Sequence, residues 1–203
     1  MNTYIITLLI ILLLYFCIKN YNNIVENFES ECKIPKFNPS VWNTKKNKVR
    51  EFNNCYSYAM EDLKQNQNKK QQPGQLCSTM NPLKKKNYSC KKLLDRVKCD
   101  YPDTYLLEDD RDECKCNYYK VGLFIDKMGD NRDYHFYKEH KDRDFWSHKP
   151  GKTKVTIYDS DNNVIKNPLE SNRKYKIYNY SEPCKYICKK YVKNPHIENN
   201  NNK

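Results

Sequence analysis

Ten cysteines, at positions 17, 32, 55, 77, 90, 99, 114, 116, 184 and 188, restrict what this 203-residue chain can fold into more than any other feature. Cys17 belongs to an apolar N-terminal run. With Cys55 set aside for chemistry, the other eight, Cys32, Cys77, Cys90, Cys99, Cys114, Cys116, Cys184 and Cys188, form an even set. An even set is what a disulfide framework needs, and such frameworks belong to oxidising compartments. The pairing itself stays open. Cys114-Lys-Cys116 and Cys184-Lys-Tyr-Ile-Cys188 would also supply four sulfurs to zinc, but this is not the C-x2-C spacing of ordinary zinc sites, so no metal or other cofactor is expected.

Residues 1–18, MNTYIITLLIILLLYFCI, carry no charged side chain, and Lys19 follows directly. The run from Thr3 to Ile18 is sixteen residues long, against the roughly 20 that span a bilayer. It has no basic start and no small-residue cleavage pattern behind it. These features favour an uncleaved transmembrane signal-anchor over a cleaved secretory signal. Residues 19–31 are polar and Asn-rich and read as a stalk, 32–193 as one folded domain, and 194–203, with ENNNNK, as a disordered tail. Lys19 is offset by Glu26, Glu29 and Glu31, so flanking charge does not orient the span. The cysteines place the domain on the lumenal, extracellular or virion-surface side.

The net charge of +12 invites nucleic acid or anionic lipid as a partner. Yet Lys, Asn, Ile and Tyr are abundant together while glycine falls to four, a usage that A/T-rich codons explain without a ligand. No RNA-recognition, zinc-finger or helix-turn-helix spacing accompanies the lysines, so nucleic acid is not expected as a partner.

Asn53 or Asn54 is a good helix N-cap, which puts Cys55 in the first turn, with Cys55, Ala59 and Leu63 recurring on one face of a helix ending near Gln65. A polar loop and a Pro73-Gly74 turn follow. Residues 76–117 hold five cysteines and one short amphipathic helix, KKLLDRVKC, and read as a disulfide-pinned insertion. From 118 onward YYKVGLFID, RDYHFYK, KVTIYD and RKYKIYNY alternate like strands. A helix first and antiparallel strands later predict an α+β fold. Asn87 and Asn179 open glycosylation sequons, meaningful for a lumenal domain. Asp159, Asp161, Asn163 and Glu170 match calcium-loop spacing, but Val164 stands where the sharp turn needs glycine, and the segment reads as a hairpin turn.

A cysteine is a good nucleophile only as thiolate, and a helix start and a nearby imidazole both favour that form. His135, alternating with Tyr134 and Phe136, is the candidate base, and His148, thirteen residues on, the candidate group to orient it, with Asp144 as second choice. NNCYSYA, QPGQ, DYHFY and WSHKPG together resemble the cysteine helix, Pro-Gly turn and histidine strands of the papain-like superfamily, in its NlpC/P60 and CHAP branch of amidases and peptidases. Residues 114–168 are also similar to uncharacterised proteins of bacteria and large DNA viruses. The resemblance covers about residues 51–180 and implies a cysteine helix packed on an antiparallel sheet. It implies Cys55 as nucleophile, His135 as base, His148 as orienter, and the Cys55 N–H with the Asn54 side chain as oxyanion donors. It departs from NlpC/P60 pattern in lacking Asp-Cys-Ser-Gly and in having Pro-Gly-Gln for Pro-Gly-Asp. The expected function is a membrane-anchored cysteine hydrolase or acyltransferase acting on an amide or ester. The rival is an inactive disulfide-rich structural or adhesion protein of a membrane or virion surface.

Overall fold

A computed structural model describes residues 3–194, which fall into two compact units divided after Lys33. The first is a single helix, α1 (Thr3–Glu31), with Cys17 exposed. It corrects one expectation. Among the described residues no helix is long and apolar enough to cross a membrane. The apolar run stops at Ile18, and the helix then continues through Lys19 and a polar stretch. Residues 19–31, read from the sequence as a stalk, are helical. The tail predicted from 194 lies, beyond Asn194, outside the described residues.

The second unit is α+β. Its helices are α2 (Pro39–Asn43), α3 (Val49–Phe52), α4 (Cys55–Ala59) and α5 (Cys90–Asp100). Its strands are β1 (Tyr105–Leu106), β2 (Tyr118–Asp126), β3 (Asp133–His140), β4 (Phe145–His148), β5 (Glu182–Pro183) and β6 (Ile187–Lys190). They form one antiparallel sheet in the order β1-β6-β2-β3-β4, with β5 pairing β2 beyond β6. β2 and β3 are buried along both faces, because successive side chains alternate between two cores. On one face Val121, Leu123, Ile125, Tyr134 and Phe136 pack with Cys55, Tyr56 and Ala59 of α4 and Leu93 and Val97 of α5. On the other, Phe124 and Tyr137 pack with Trp146, Ile165, Tyr180 and Tyr186.

The region 76–117 is thus part of the core rather than an appendage. α5 is capped by Ser89, whose Oγ accepts from Lys92 N, and it lays its two buried apolar residues on the sheet. The Asp100 carboxylate at its end holds the Pro-Gly turn, accepting from Gly74 N at 2.6 Å and Leu76 N at 2.8 Å, and from Tyr56 Oη of α4 at 2.6 Å. Gly74 needs its glycine: its φ is +89°, and an added Cβ would strike the Arg96 side chain.

Disulfides join Cys77 to Cys99, Cys90 to Cys184 and Cys114 to Cys188, and Cys32 and Cys116 are disulfide-bonded as well. The sulfurs weighed for zinc are therefore spent on bridges, and this degree of oxidation belongs to an oxidising environment. Cys17 and Cys55 are the free pair.

Other expectations need adjusting. A helical turn that the sequence reading did not mark, opened by Pro39, buries Val41 and Trp42. KVTIYD and RKYKIYNY make isolated bridges instead of strands: His148 with Thr156, Tyr158 with Val164, and Lys174 with Asn179. The Tyr158–Val164 bridge closes the turn predicted at 159–163, where the Asp159 carboxylate accepts from the backbone N–H of Asp161 and Asn163. Asn87 is exposed, whereas Asn179 is half-buried with its N–H donated to Asp126.

Candidate functional site

α4 is short because both of its ends are fixed. At the start, Asn54 Oδ1 accepts from Ser57 N at 3.1 Å, and Asn54 Nδ2 donates to Gln71 O at 2.8 Å. At the finish, Asp62 N donates to Ser57 O and Glu61 N to Tyr58 O, with Glu61 at φ 54°, the geometry of a left-handed helix stop. The chain therefore turns away after Ala59 instead of continuing towards Gln65. Leu63 is buried as its spacing suggested, but in a separate cluster with Val41, Trp42, Val49 and Tyr58. The Asn54 side chain, carried over by resemblance as an oxyanion donor, sits here as the helix cap. Its replacement by Ala should cost about 1 kcal/mol or more of stability in thermal unfolding, with Asp retaining part of the cap.

Cys55 is the first residue of this capped turn. β4 pairs only residues 137–140 of β3, and next to that pairing the Cys55 thiol donates to Tyr134 O at 3.9 Å. Burial pushes the Cys55 pKa up to about 12. The Phe136 N–H counters this, Asp133 adds to it, and the Tyr56 N–H and the Lys149 charge oppose it. At neutral pH the sulfur is a thiol.

The two histidines of the sequence reading are brought together. His135 Nε2 lies 2.7 Å from His148 Nδ1, and His148 Nε2 lies 2.9 Å from Tyr158 O. A carbonyl can only accept, so His148 carries its proton on Nε2. Its Nδ1 is then the acceptor, which makes His135 Nε2 the donor and leaves His135 Nδ1 as the basic nitrogen. Tyr180 stacks on His135 at 5.0 Å and donates to Asp133 Oδ2 at 2.9 Å. Burial, and then the His148 charge, drive the His135 pKa well below its ordinary value; burial lowers that of His148 to about 4 against the pull of the Tyr158 carbonyl. Both imidazoles are neutral at pH 7. Asp144, the alternative orienter, stands in a turn and pairs with Lys166 at 2.9 Å.

The sheet separates the two halves of this constellation. Tyr134 and Phe136 share the core of Cys55, while His135 and His148 stand on the opposite face of β3 and β4. Among the described residues the thiol makes no hydrogen bond to either imidazole; it meets β3 through the backbone on both sides of His135. Sequence reasoning missed Lys149. It is fully buried one residue after His148, yet a lysine in so lysine-rich a chain looks like solvated surface. Its flanking signal was the aromatic strand before it and the Pro150-Gly151 turn after it. Among the described residues no group of three or more His, Cys, Asp or Glu could hold a metal ion. No protein-family model, curated protein or solved structure matches the chain.

Proposed function

We propose that this domain is a cysteine-dependent hydrolase or acyltransferase of papain-like type, acting on an amide or ester in an oxidising compartment. The observation behind this reading is the hydrogen-bonded chain from His135 through His148 to Tyr158 O, which fixes the tautomer of one imidazole on the strand whose backbone meets the free thiol of a capped helix start. In this reading Cys55, released from its buried seat against Tyr134 O, attacks the substrate carbonyl while its proton passes to His135 Nδ1. The C–N or C–O bond then breaks, the leaving group departs with that proton, and a thioester remains on sulfur. Water or an acceptor nucleophile, deprotonated by the same nitrogen, releases the acyl group and restores the thiol. His148 holds the His135 ring and disperses its charge. Because thiol and imidazole are both neutral at rest, proton transfer accompanies attack and does not precede it.

The test is acylation of the full chain by p-nitrophenyl acetate, with mass spectrometry locating the acetyl group. Acetyl on Cys55, lost in Cys55→Ala and slowed about a hundredfold or more in His135→Ala, is the expected result. Turnover that persists in Cys55→Ala ends this reading.

One observation favours a second reading. The buried thiol, raised to about 12 and bonded to a backbone carbonyl, suits a disulfide-braced structural or adhesion module in which Cys55 only packs. That module predicts no acetyl on Cys55 and an alkylation rate indifferent to His135.

A further inference from the structure

Residues 64–72, KQNQNKKQQ, are polar throughout, and a loop of that composition has no apolar side chain to bury. Residues 66–69 are exposed, yet Gln71 keeps only 8% of its surface. Hydrogen bonds draw it in. Asn54 Nδ2, from the residue before the thiol, donates to Gln71 O at 2.8 Å, and Tyr134 Oη donates to Gln72 Oε1 at 2.6 Å. Tyr134 is also the residue whose carbonyl accepts from the Cys55 thiol. Two successive loop residues are thus tied to two neighbours of Cys55, one the cap of α4 and the other in β3. Gln71 Nε2 adds a bond to Tyr101 Oη at 3.3 Å. The ends of the segment are anchored elsewhere. Asn66 N donates to Asn47 O ahead of it. Behind it Arg96 Nη1 reaches Pro73 O at 3.4 Å, Asp100 holds Gly74 and Leu76, and Cys77 is bridged to Cys99. Residues 67–72 span the gap between these two fixed ends. Their position carries a cost, because among the described residues the buried Gln71 Oε1 accepts no hydrogen bond. Water would meet that oxygen if the segment lifted.

We infer that residues 67–72 are an autoinhibitory strap over Cys55, latched by the Tyr134–Gln72 hydrogen bond, in which the Gln71 carbonyl occupies the Asn54 amide donor that the hydrolase reading gives to the substrate carbonyl. What replaces Gln71 O rests on that reading: it is the carbonyl of the amide or ester substrate, accepting from Asn54 Nδ2 once the strap lifts. The gating of the thiol does not rest on it. A strap of this kind accounts for a free cysteine that is only 6% exposed although it stands in the first turn of its helix. Lifting it breaks a few hydrogen bonds and leaves the sheet intact, so it costs far less than unfolding.

The experiment is N-ethylmaleimide labelling of the full oxidised chain at one fixed pH and increasing urea, with site-resolved mass spectrometry and the exposed thiol of Cys17 as internal reference. Tyr134→Phe, which keeps the ring and removes the latch hydroxyl, and Gln72→Ala, which removes its acceptor, should each raise the Cys55 labelling rate about fivefold, with Cys17 unmoved. Combined, they should raise it no further than either alone, because both break the same bond. In the wild type the Cys55 rate should stay flat through low urea, the mark of a local opening. A rate that neither variant changes, or one that climbs from the start with the full slope of unfolding, overturns the strap. If one variant folds poorly, the other carries the same prediction. Acylation by p-nitrophenyl acetate is read separately. Faster labelling without acetyl on Cys55 keeps the strap and ends the hydrolase reading, whereas acetyl on Cys55 at a rate that neither variant changes keeps the hydrolase and ends the strap.

Discussion

Glu61→Ala should lower unfolding stability by about 3–5 kcal/mol, the usual cost of stripping one partner from a buried ion pair. Glu61 and Lys138 are both buried and joined in a salt bridge, and the Lys138 ammonium also lies 4.0 Å from the centre of the Tyr58 ring. Burial pulls the Lys138 pKa down while Glu61 pulls it up, so the pair is stable only as a pair. Without Glu61 the core retains a cation with no counter-charge beneath α4. The double replacement Glu61→Ala with Lys138→Met should recover most of the loss, because desolvation of the two charges offsets much of their attraction. Urea midpoints with unchanged slope measure both effects. A single-variant loss under about 1 kcal/mol would show that the two groups do not meet in solution.

Acid should weaken the fold well before its carboxylates titrate. His135, His140 and His148 are all buried, and burial lowers each of their pKa values, His148 to about 4 and His140 to about 2. The unfolded chain takes up protons on these rings near pH 6.5, whereas the native protein does not. Unfolded molecules therefore bind more protons below that pH, and stability falls as pH falls. The stabilisation from neutral imidazoles is full above about pH 6.5 and is lost progressively towards pH 4 for His148 and beyond it for the others. By pH 5.5 the three rings together should remove about 4 kcal/mol relative to pH 7.5. Asp133 and Glu139, whose pKa values burial raises, act in the opposite direction and reduce the net loss. Denaturation midpoints that stay flat between pH 7.5 and 5.5 would contradict the buried, neutral state of these histidines.

Much of the fold could be read from local pattern. β2 and β3 were legible because alternation and β-branched or aromatic content run through both, and α5 because its apolar spacing is clean. β6 was not. Its ICKK is masked by lysines, one of which, Lys189, rests its ammonium 4.7 Å from the Tyr101 ring. α4 was overextended because Leu63 satisfies helical spacing by a different route, after a left-handed turn at Glu61 that no local preference announces. KVTIYD alternates like a strand, yet Tyr158 serves as a bridge residue and as carbonyl acceptor for His148. The apolar length of residues 3–18 suggested a membrane span, and no described helix meets the requirement for one.

At the candidate site, the histidine pair follows from alternation and one hairpin return. The position of Cys55 across the sheet does not, because it depends on where β4 stops relative to β3. Lys149 was invisible for a compositional reason: where lysine is common, a buried one leaves no mark in the sequence.

The place of β6 bears on how the protein is made. It is the last strand described, yet it lies inside the sheet between β1 and β2, and it carries Cys188, with Cys184 just ahead of it. A nascent chain on the ribosome therefore presents β2 with an unfilled side and Cys90 and Cys114 with no native partner until residue 190 has emerged. Throughout that interval Cys55 is one more thiol among unpaired ones. Such long-range pairing is slow, and an open strand invites association. Synthesis of this protein should depend on thiol–disulfide isomerisation in an oxidising environment more than its size alone would suggest.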